Sequence, residues 1–371
     1  MPDIGATDDD PLTTLHGAQV TSNAAFAADV TGILTPSWQF VCHESDLPAP
    51  GTAMRFDFCG RSALLVRQPD AGIGGFVNAC RHRGSRLVDG DATTGLAYCI
   101  DGRIRCPAHG WIYESTGALA HVPRESIYPS LVRGALALER LAVSRVAGWV
   151  FVALASGPQL PLAAGGEWLA KCEPARLLPL RRLAEPRVLS VACNWRVVCA
   201  DGLDLPLLGS QAAAVPIEPA SLRAMVTEDG VSTTAQLPSV ATAWSAGGYL
   251  RQLATLPPGS SARWECVFVW PNAWFEVTAD QWTVTQVLPV APGASQLREI
   301  SYGVPDTSRR MRVARYLHRR LRRSHVAARN KRLARLQAGL ISADVGSGPM
   351  ASDEIGLAWF TRRLQAESRP G

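Results

Sequence analysis

The sequence predicts an α+β protein in two parts, a small antiparallel β domain followed by a longer antiparallel sheet with a long helix. Three observations carry this. From Trp38 to about Ala155, short apolar stretches alternate with Gly/Pro turn signals, which marks short strands at Met54–Phe58, Ala63–Arg67, Gly75–Asn78, Arg103–Cys106 and Trp149–Ala153. Longer alternating runs follow at Trp264–Trp270, Trp274–Thr278, Trp282–Leu288 and Leu297–Tyr302. Turn signals at Pro271-Asn272, Ala279-Asp280 and Pro292-Gly293 separate them, which is an antiparallel meander. Arg309 to Arg335 then has helical composition, with no Pro or Gly before Gly339. A Pro/Gly-rich join from Ser156 to Gly166 marks the boundary. The expected organisation is a polar, partly ordered arm over 1–36, a first domain over 37–155 and a second over 156–371, closed by a segment from Asp353 to Ala366.

At 371 residues, with 47% hydrophobic and 19% charged residues, the chain has ample material for two cores. The first residues are acidic (Asp3, Asp8, Asp9, Asp10), with no basic stretch leading into an apolar one, so no secretory signal is expected. The longest apolar run, Val146 to Ala155, is too short to span a bilayer. The expected location is the cytoplasm, with no membrane partner. The net charge of +5 conceals an asymmetry: Arg309 to Arg335 holds twelve basic residues and no acidic one, so the remainder is net negative. That stretch reads either as a solvated helix face or as a docking surface for an acidic partner. No nucleic-acid motif accompanies it, so nucleic acid is not expected.

Two short loops carry the chemistry. Cys80 and His82 are followed by Cys106 and His109, giving the spacing C-x-H-x23-C-x2-H. Two thiolates for one iron and two imidazoles for the other are the ligands of a Rieske [2Fe–2S] centre. Zinc also accepts two Cys and two His, but zinc fingers group the Cys pair and the His pair separately, whereas each pair here is mixed. Gly84 and Gly110, just past each His, let the backbone turn sharply. Cys80 and Cys106 are assigned to the all-sulfur iron and His82 and His109 to the outer one, with Trp111 and Tyr113 packing against the loop. The other seven cysteines (Cys42, Cys59, Cys99, Cys172, Cys193, Cys199, Cys266) are unevenly spaced in apolar surroundings and read as small buried hydrophobes in a reducing compartment.

Joined to the rest, these loops make the whole chain resemble the alpha subunit of Rieske non-haem iron ring-hydroxylating oxygenases. The matching pieces are Trp38-Gln-Phe-Val-Cys-His43, Asn78-Ala-Cys-Arg-His-Arg-Gly84, Cys106-Pro-Ala-His-Gly-Trp-Ile-Tyr113, Gly148-Trp-Val-Phe-Val152, Asn194-Trp-Arg196, Pro271-Asn-Ala-Trp274 and Gly348-Pro-Met-Ala-Ser-Asp-Glu354. The resemblance implies a Rieske domain followed by a helix-grip (START/Bet v1-like) domain, in which a curved antiparallel sheet wraps a long helix. It also implies a mononuclear iron held by two His and one carboxylate in the second domain.

The chain departs from the family at that iron. Counted from Asn194-Trp195-Arg196, the family's Asp falls on Asp204 and its two His on Leu207 and Ala212. The carboxylate, placed from Gln337-Ala338-Gly339, falls on Asn330. The histidines are His16, His43, His82, His109, His121, His318 and His325, so none lies between residues 122 and 317. His318 and His325 are seven residues apart on a helix, about 10 Å along its axis, too far for one metal. Both are expected as partly exposed helix histidines. The family uses the Asp204 position to bridge a cluster His of one subunit and an iron His of its neighbour, which makes Asp204 a candidate electron-transfer bridge.

The expected function is therefore an auxiliary alpha-like subunit. It would carry a [2Fe–2S] cluster that passes electrons to the partner's iron, or serve mainly as scaffold for that partner, and without a mononuclear iron of its own would be inactive alone. It would assemble with a catalytic alpha-type subunit in a trimer or hexamer, served by a ferredoxin or a flavin reductase. The alternatives are an active oxygenase on an aromatic or alicyclic compound with an atypical metal site, and a redox-sensing or binding module using the vacated pocket.

Overall fold

The computed structural model describes residues 15, 17–91, 95–99, 102–155, 169, 180–204, 214–228, 230–238, 244–254, 263–342 and 348–367. The join at Ser156–Gly166, Cys172, and the positions Leu207 and Ala212 lie outside them.

Residues 39–152 form the first β unit. Its strands are β1 (Gln39–His43), β2 (Thr52–Phe58), β3 (Arg61–Arg67), β4 (Ile73–Val77), β5 (Leu96–Tyr98), β6 (Arg103–Arg105), β7 (Ile112–Glu114), β8 (Leu119–His121), β9 (Arg140–Leu141), β10 (Val143–Val146) and β11 (Trp149–Val152). They make three antiparallel sheets, ordered β5-β2-β3-β4-β9, β1-β11-β10 and β6-β7-β8. The β2–β3 hairpin turns through Cys59 and Gly60, both at positive φ. All five residues of β1 are buried, because one face meets β2 and β3 and the other meets the second domain.

The second domain is one eight-stranded antiparallel sheet. Its strands are β12 (Arg181–Arg182), β13 (Arg187–Val191), β14 (Arg223–Val226), β15 (Gly230–Gln236), β16 (Arg263–Val269), β17 (Ala273–Val277), β18 (Trp282–Ala291) and β19 (Ala294–Gly303). The order is β12-β19-β18-β17-β16-β15-β14, with β13 also on β19. The expected meander is thus present, and longer than its sequence pattern showed.

Period-2 alternation gives this sheet two different faces. Phe275, Val277, Val284, Ile300 and Tyr302 point one way and pack with Phe40, Trp149 and Phe151 of the first domain. Gln39 fixes the same junction: its amide donates to the Leu34 carbonyl at 2.7 Å, and its Oε1 accepts from Asn272 at 2.9 Å and Gln286 at 3.3 Å. Burying three amides together is stable only because each finds a partner. Glu276, Thr285 and Glu299 point the other way, towards the long helix.

Six α-helices complete the described fold: α1 (Gly17–Thr21), α2 (Asn23–Asp29), α3 (Trp195–Leu203), α4 (Trp244–Leu253), α5 (Arg309–Ser342) and α6 (Ile355–Glu367). The expected polar arm is in fact helical from Gly17 onward, with a π-helical turn at Val30–Leu34, and it is docked on the second domain. Asp29, 2% exposed, accepts from Trp195 Nε1 at 2.9 Å and holds the Arg196 guanidinium with both carboxylate oxygens. Asn194 caps α3 by accepting from the Arg196 N–H, and its own amide donates to Val20 and Pro292 carbonyls. The Asn194-Trp195-Arg196 motif is therefore the anchor of the N-terminal helices.

Candidate functional site

The first loop hangs between β4 and β5 and the second between β6 and β7. Gly84 and Gly110 both sit at φ +72°, a conformation a side chain would strain, and their N–H groups close each loop onto the carbonyls of Cys80 and Cys106. Asn78 braces the first loop. It accepts from the Leu87 and Val88 N–H groups and donates to the Val88 carbonyl.

These loops bring the four expected ligands together. Cys80 and Cys106, 3% and 2% exposed, lie within hydrogen-bonding reach of each other. The His82 and His109 rings stand edge to face, 4.7 Å between centroids, on the outer side, His82 partly buried and His109 exposed. Trp111 stacks on His82 at 4.8 Å and 7°, and Tyr128 meets both rings edge-on. The Tyr113 hydroxyl lies 3.2 Å from Cys80 Sγ and accepts from the Arg81 N–H.

The donor chemistry suits a cluster with sulfur inside and imidazole outside. Burial raises the Cys80 thiol, against donors from Tyr113 and His82. At Cys106 burial acts in the same sense, but the N–H groups of His109 and Ala108 and a hydroxyl from Ser85 outweigh it, so that thiol is held below its ordinary value. Backbone donors aimed at sulfur stabilise anionic sulfur, which is what an iron–sulfur centre presents. His82 Nδ1 is buried and has no hydrogen-bond partner among the described residues, so it remains open as a ligand. The residues fit the group. Tyr128 and Ser85 were not singled out in the sequence, and Asn78 appeared there only as the first residue of its motif, without this bracing role.

Asp204 ends α3 in an extended conformation. Its neighbour Leu203 belongs to the core built on α3, apart from the core that holds Cys80 and Cys106. Asn330 lies on α5, and its Oδ1 is buried without a partner among the described residues.

The space between the sheet and α5 holds an ion-pair ladder that the sequence reading missed. Arg322, 8% exposed, donates to Glu299 at 2.8 Å, to Glu276 at 2.6 Å and to the Thr285 hydroxyl at 2.6 Å. Arg329 and Arg332 both hold Asp201 of α3, and Arg329 also lies over the Trp274 ring. Arg315 donates to carbonyls of Asp280, Val304 and Asp306. His318 is 1% exposed, against the expectation of a partly exposed residue; it sits 3.2 Å from the Tyr249 hydroxyl and 3.5 Å from the Asp280 carboxylate. The inner half of the basic run is therefore spent inside the protein. What remains is a cavity of about 60 Å³ lined by Asp201, Glu276, Glu299, Arg322, His325 and Arg329 among others, room for a handful of waters.

His325 faces this cavity. Burial first, then Arg329 and Arg322, push its imidazole down to about 4, so it is neutral at neutral pH. In the unfolded chain a histidine titrates near 6.5, roughly its ordinary value. As pH falls below that value, protons bind the unfolded chain first, so stability should drop until about 4 and then cease to respond at this site. Urea unfolding across this window should show a shallower fall for His325→Asn than for the wild type. Equal slopes would contradict the neutral imidazole of His325, which is partly exposed as expected.

Comparison with known proteins agrees with both halves of the chain. Residues 37–132 match the Rieske [2Fe-2S] domain, and residues 217–367 match the ring hydroxylating alpha subunit (catalytic domain). The chain thus joins a Rieske domain to a ring-hydroxylating alpha-subunit catalytic domain. Among relatives, it is 31% identical over 176 residues to the glycine betaine monooxygenase oxygenase subunit of Chromohalobacter salexigens, covering 47% of this chain and 37% of that one. It is 26% identical over 210 residues to the carnitine monooxygenase oxygenase subunit of Acinetobacter pittii, covering 55% and 54%. With the large oxygenase component of the 2,4-dinitrotoluene dioxygenase system of a Burkholderia species it shares 33% over 100 residues, 27% of this chain and 21% of that one. These alignments span from about a fifth to about half of the relatives' lengths. In fold, it superposes on the quaternary ammonium Rieske monooxygenase CntA with TM-score 0.81 at 19% identity, covering 100% and 99% of the two chains. Naphthalene 1,2-dioxygenase from a Rhodococcus species gives 0.74 at 16%, covering 96% and 94%. Among the described residues, no helix is long and apolar enough to cross a membrane.

Proposed function

We propose that this chain is an auxiliary alpha-like subunit of a hetero-oligomeric Rieske oxygenase. Cys80, Cys106, His82 and His109 hold a [2Fe–2S] cluster over the domain 37–155, behind an N-terminal segment 1–36. The domain 156–371 keeps the helix-grip form without a mononuclear iron. The cluster supplies one-electron transfer when bound. The protein's part is to bury the two sulfur ligands, orient the imidazoles by the Trp111 stack, and present them to a neighbour. The partner is a catalytically complete alpha-type subunit in a trimer or hexamer, with a ferredoxin or flavin reductase as electron source, in the cytoplasm.

One observation carries this reading: the interior facing α5 is occupied by the protein's own ion pairs. A small-molecule site ordinarily needs several hundred cubic ångströms, on the order of 300 Å³ or more; among the described residues, the cavity between the sheet and α5 offers about 60 Å³. The sequence supports it, since no histidine lies between 122 and 317 and the carboxylate position is Asn330. A solved structure of a quaternary ammonium Rieske monooxygenase is described as giving insight into inter-subunit electron transfer, the kind of traffic this reading assigns to a mixed ring.

Activity and assembly test it together. The purified, cluster-loaded chain with a reductase should show no oxygenase turnover, and should co-purify with an intact alpha-type subunit when the two are expressed together. Turnover by the chain alone would establish instead an active oxygenase with an atypical metal site. In the mixed complex, Asp204→Asn keeps the side chain's size but removes a carboxylate that orients an imidazole across the interface. Normal reduction of this cluster with slowed turnover would place Asp204 on the route; unchanged turnover would leave it a helix-terminal carboxylate.

A further inference from the structure

The inner arginines of α5 are paired, whereas five on its outer face stand without an acidic partner among the described residues. Arg309, Arg312, Arg319, Arg320 and Arg323 are all exposed, and none has an acidic partner among the described residues. At 3.6 residues per turn they fall on one face, spread over about 21 Å of helix. Tyr316, 51% exposed, lies at the middle of that face, four residues from Arg312 and Arg320 and three from Arg319. Arg319 and Arg323 are four residues apart, a spacing at which like charges repel. The helix therefore carries an unfavourable arrangement that nothing among the described residues offsets.

We propose that this outer face of α5 is a docking surface for an acidic protein, with Tyr316 as its apolar anchor and the five guanidiniums pairing carboxylates around it. The composition selects the class of partner. Arginine and tyrosine are the residues enriched at protein interfaces, and guanidinium pairs carboxylate in a bidentate, directional way. A membrane surface would need an apolar helix face to insert, but the apolar and paired face of α5 is turned inward on the sheet and α4. A duplex groove would need a protruding helix, and this one packs against α1, α3, α4 and β13. The inference stands on the outer face alone and does not depend on whether the chain is catalytic.

The test uses the whole cluster-loaded chain and defined probes at about 0.15 M salt, where exposed charges are screened beyond about 8 Å. The probes are poly-glutamate, a random glutamate–tyrosine copolymer of matched charge, a DNA duplex, and phosphatidylserine vesicles. The copolymer should bind most tightly. The triple variant Arg319→Gln/Arg320→Gln/Arg323→Gln should weaken it at least about tenfold, which corresponds to about 1.4 kcal/mol. Tyr316→Ala should erase the copolymer's advantage over poly-glutamate without changing the salt dependence. All four side chains are exposed, so the variants should keep the wild-type cluster spectrum and melting temperature. Undiminished binding in the triple variant, an undiminished copolymer advantage in Tyr316→Ala, or tighter binding to the duplex or the vesicles would each overturn the proposal.

Discussion

In a complex of this chain with a catalytically complete alpha-type subunit, His82→Ala should cut turnover at least ~100-fold while the complex still assembles. The reason lies in the separation of the two cores. Among the described residues, the rings that His82 meets are those of Trp111, His109 and Tyr128, all in the first domain. Removing its imidazole breaks a four-donor set and leaves the Gln39 junction, the α5 ladder and the outer face of α5 intact. Turnover and size-exclusion chromatography read the two effects separately. Unchanged turnover with an intact complex would refute the relay role and leave only that of scaffold. Loss of the complex would mean that the loop also shapes the interface.

The second large effect is expected at Arg322. Removing one partner from a buried charged network leaves the others uncompensated, at about 3–5 kcal/mol. Arg322→Ala takes the shared guanidinium from Glu276 and Glu299, whose side chains are 12% and 4% exposed, leaving Glu276 with only the Trp264 N–H and Glu299 with only the half-exposed Arg187 among the described residues. The melting temperature should fall by roughly 10 °C on that basis. Adding Glu276→Gln and Glu299→Gln should recover a good part of the loss, because neutral amides tolerate burial better than unpaired carboxylates. The pH dependence has a definite sign. Burial alone would raise the Glu276 carboxyl, but Arg322 beside it prevails and holds it below the usual carboxylate range. Its stabilising contribution is therefore complete above the ordinary glutamate value, about 4.3, and is lost as pH falls through the lower folded value. The gap between wild type and Arg322→Ala should accordingly narrow in acid. A loss below ~1 kcal/mol at neutral pH, the scale of an exposed pair, would contradict a ladder that matters to the fold.

The features legible in the sequence were those written in local spacing. The mixed Cys/His pairs announced their loops, and strict alternation announced β16 to β19 within a residue or two at most ends. Strands of two to three residues, such as β6 to β9, are too short to show a period, so most were passed over. The arm was misread for a different reason. Residues 23–29, Asn-Ala-Ala-Phe-Ala-Ala-Asp, have little amphipathic pattern, and what fixes them is Asp29 meeting Trp195 and Arg196, more than 160 residues away.

The long helix is the instructive case. Its existence was plain, but its orientation was not. Arg315, His318, Arg322, His325, Arg329 and Arg332 recur at alternating steps of three and four, the spacing of a buried seam, yet their polarity argued for solvent. The carboxylates that let them turn inward, on Asp201, Glu276, Asp280 and Glu299, belong to other elements and are invisible to a reading of the helix alone. A single acidic residue inside each of two otherwise largely uncharged strands, Glu276 in β17 and Glu299 in β19, was the available signal.

Iron and acid-labile sulfide analysis of the purified chain, paired with EPR, tests the central claim most directly. The account predicts about two irons and two sulfides per chain with only a Rieske-type signal on reduction. A third tightly bound iron per chain, with a high-spin mononuclear signal, would contradict it.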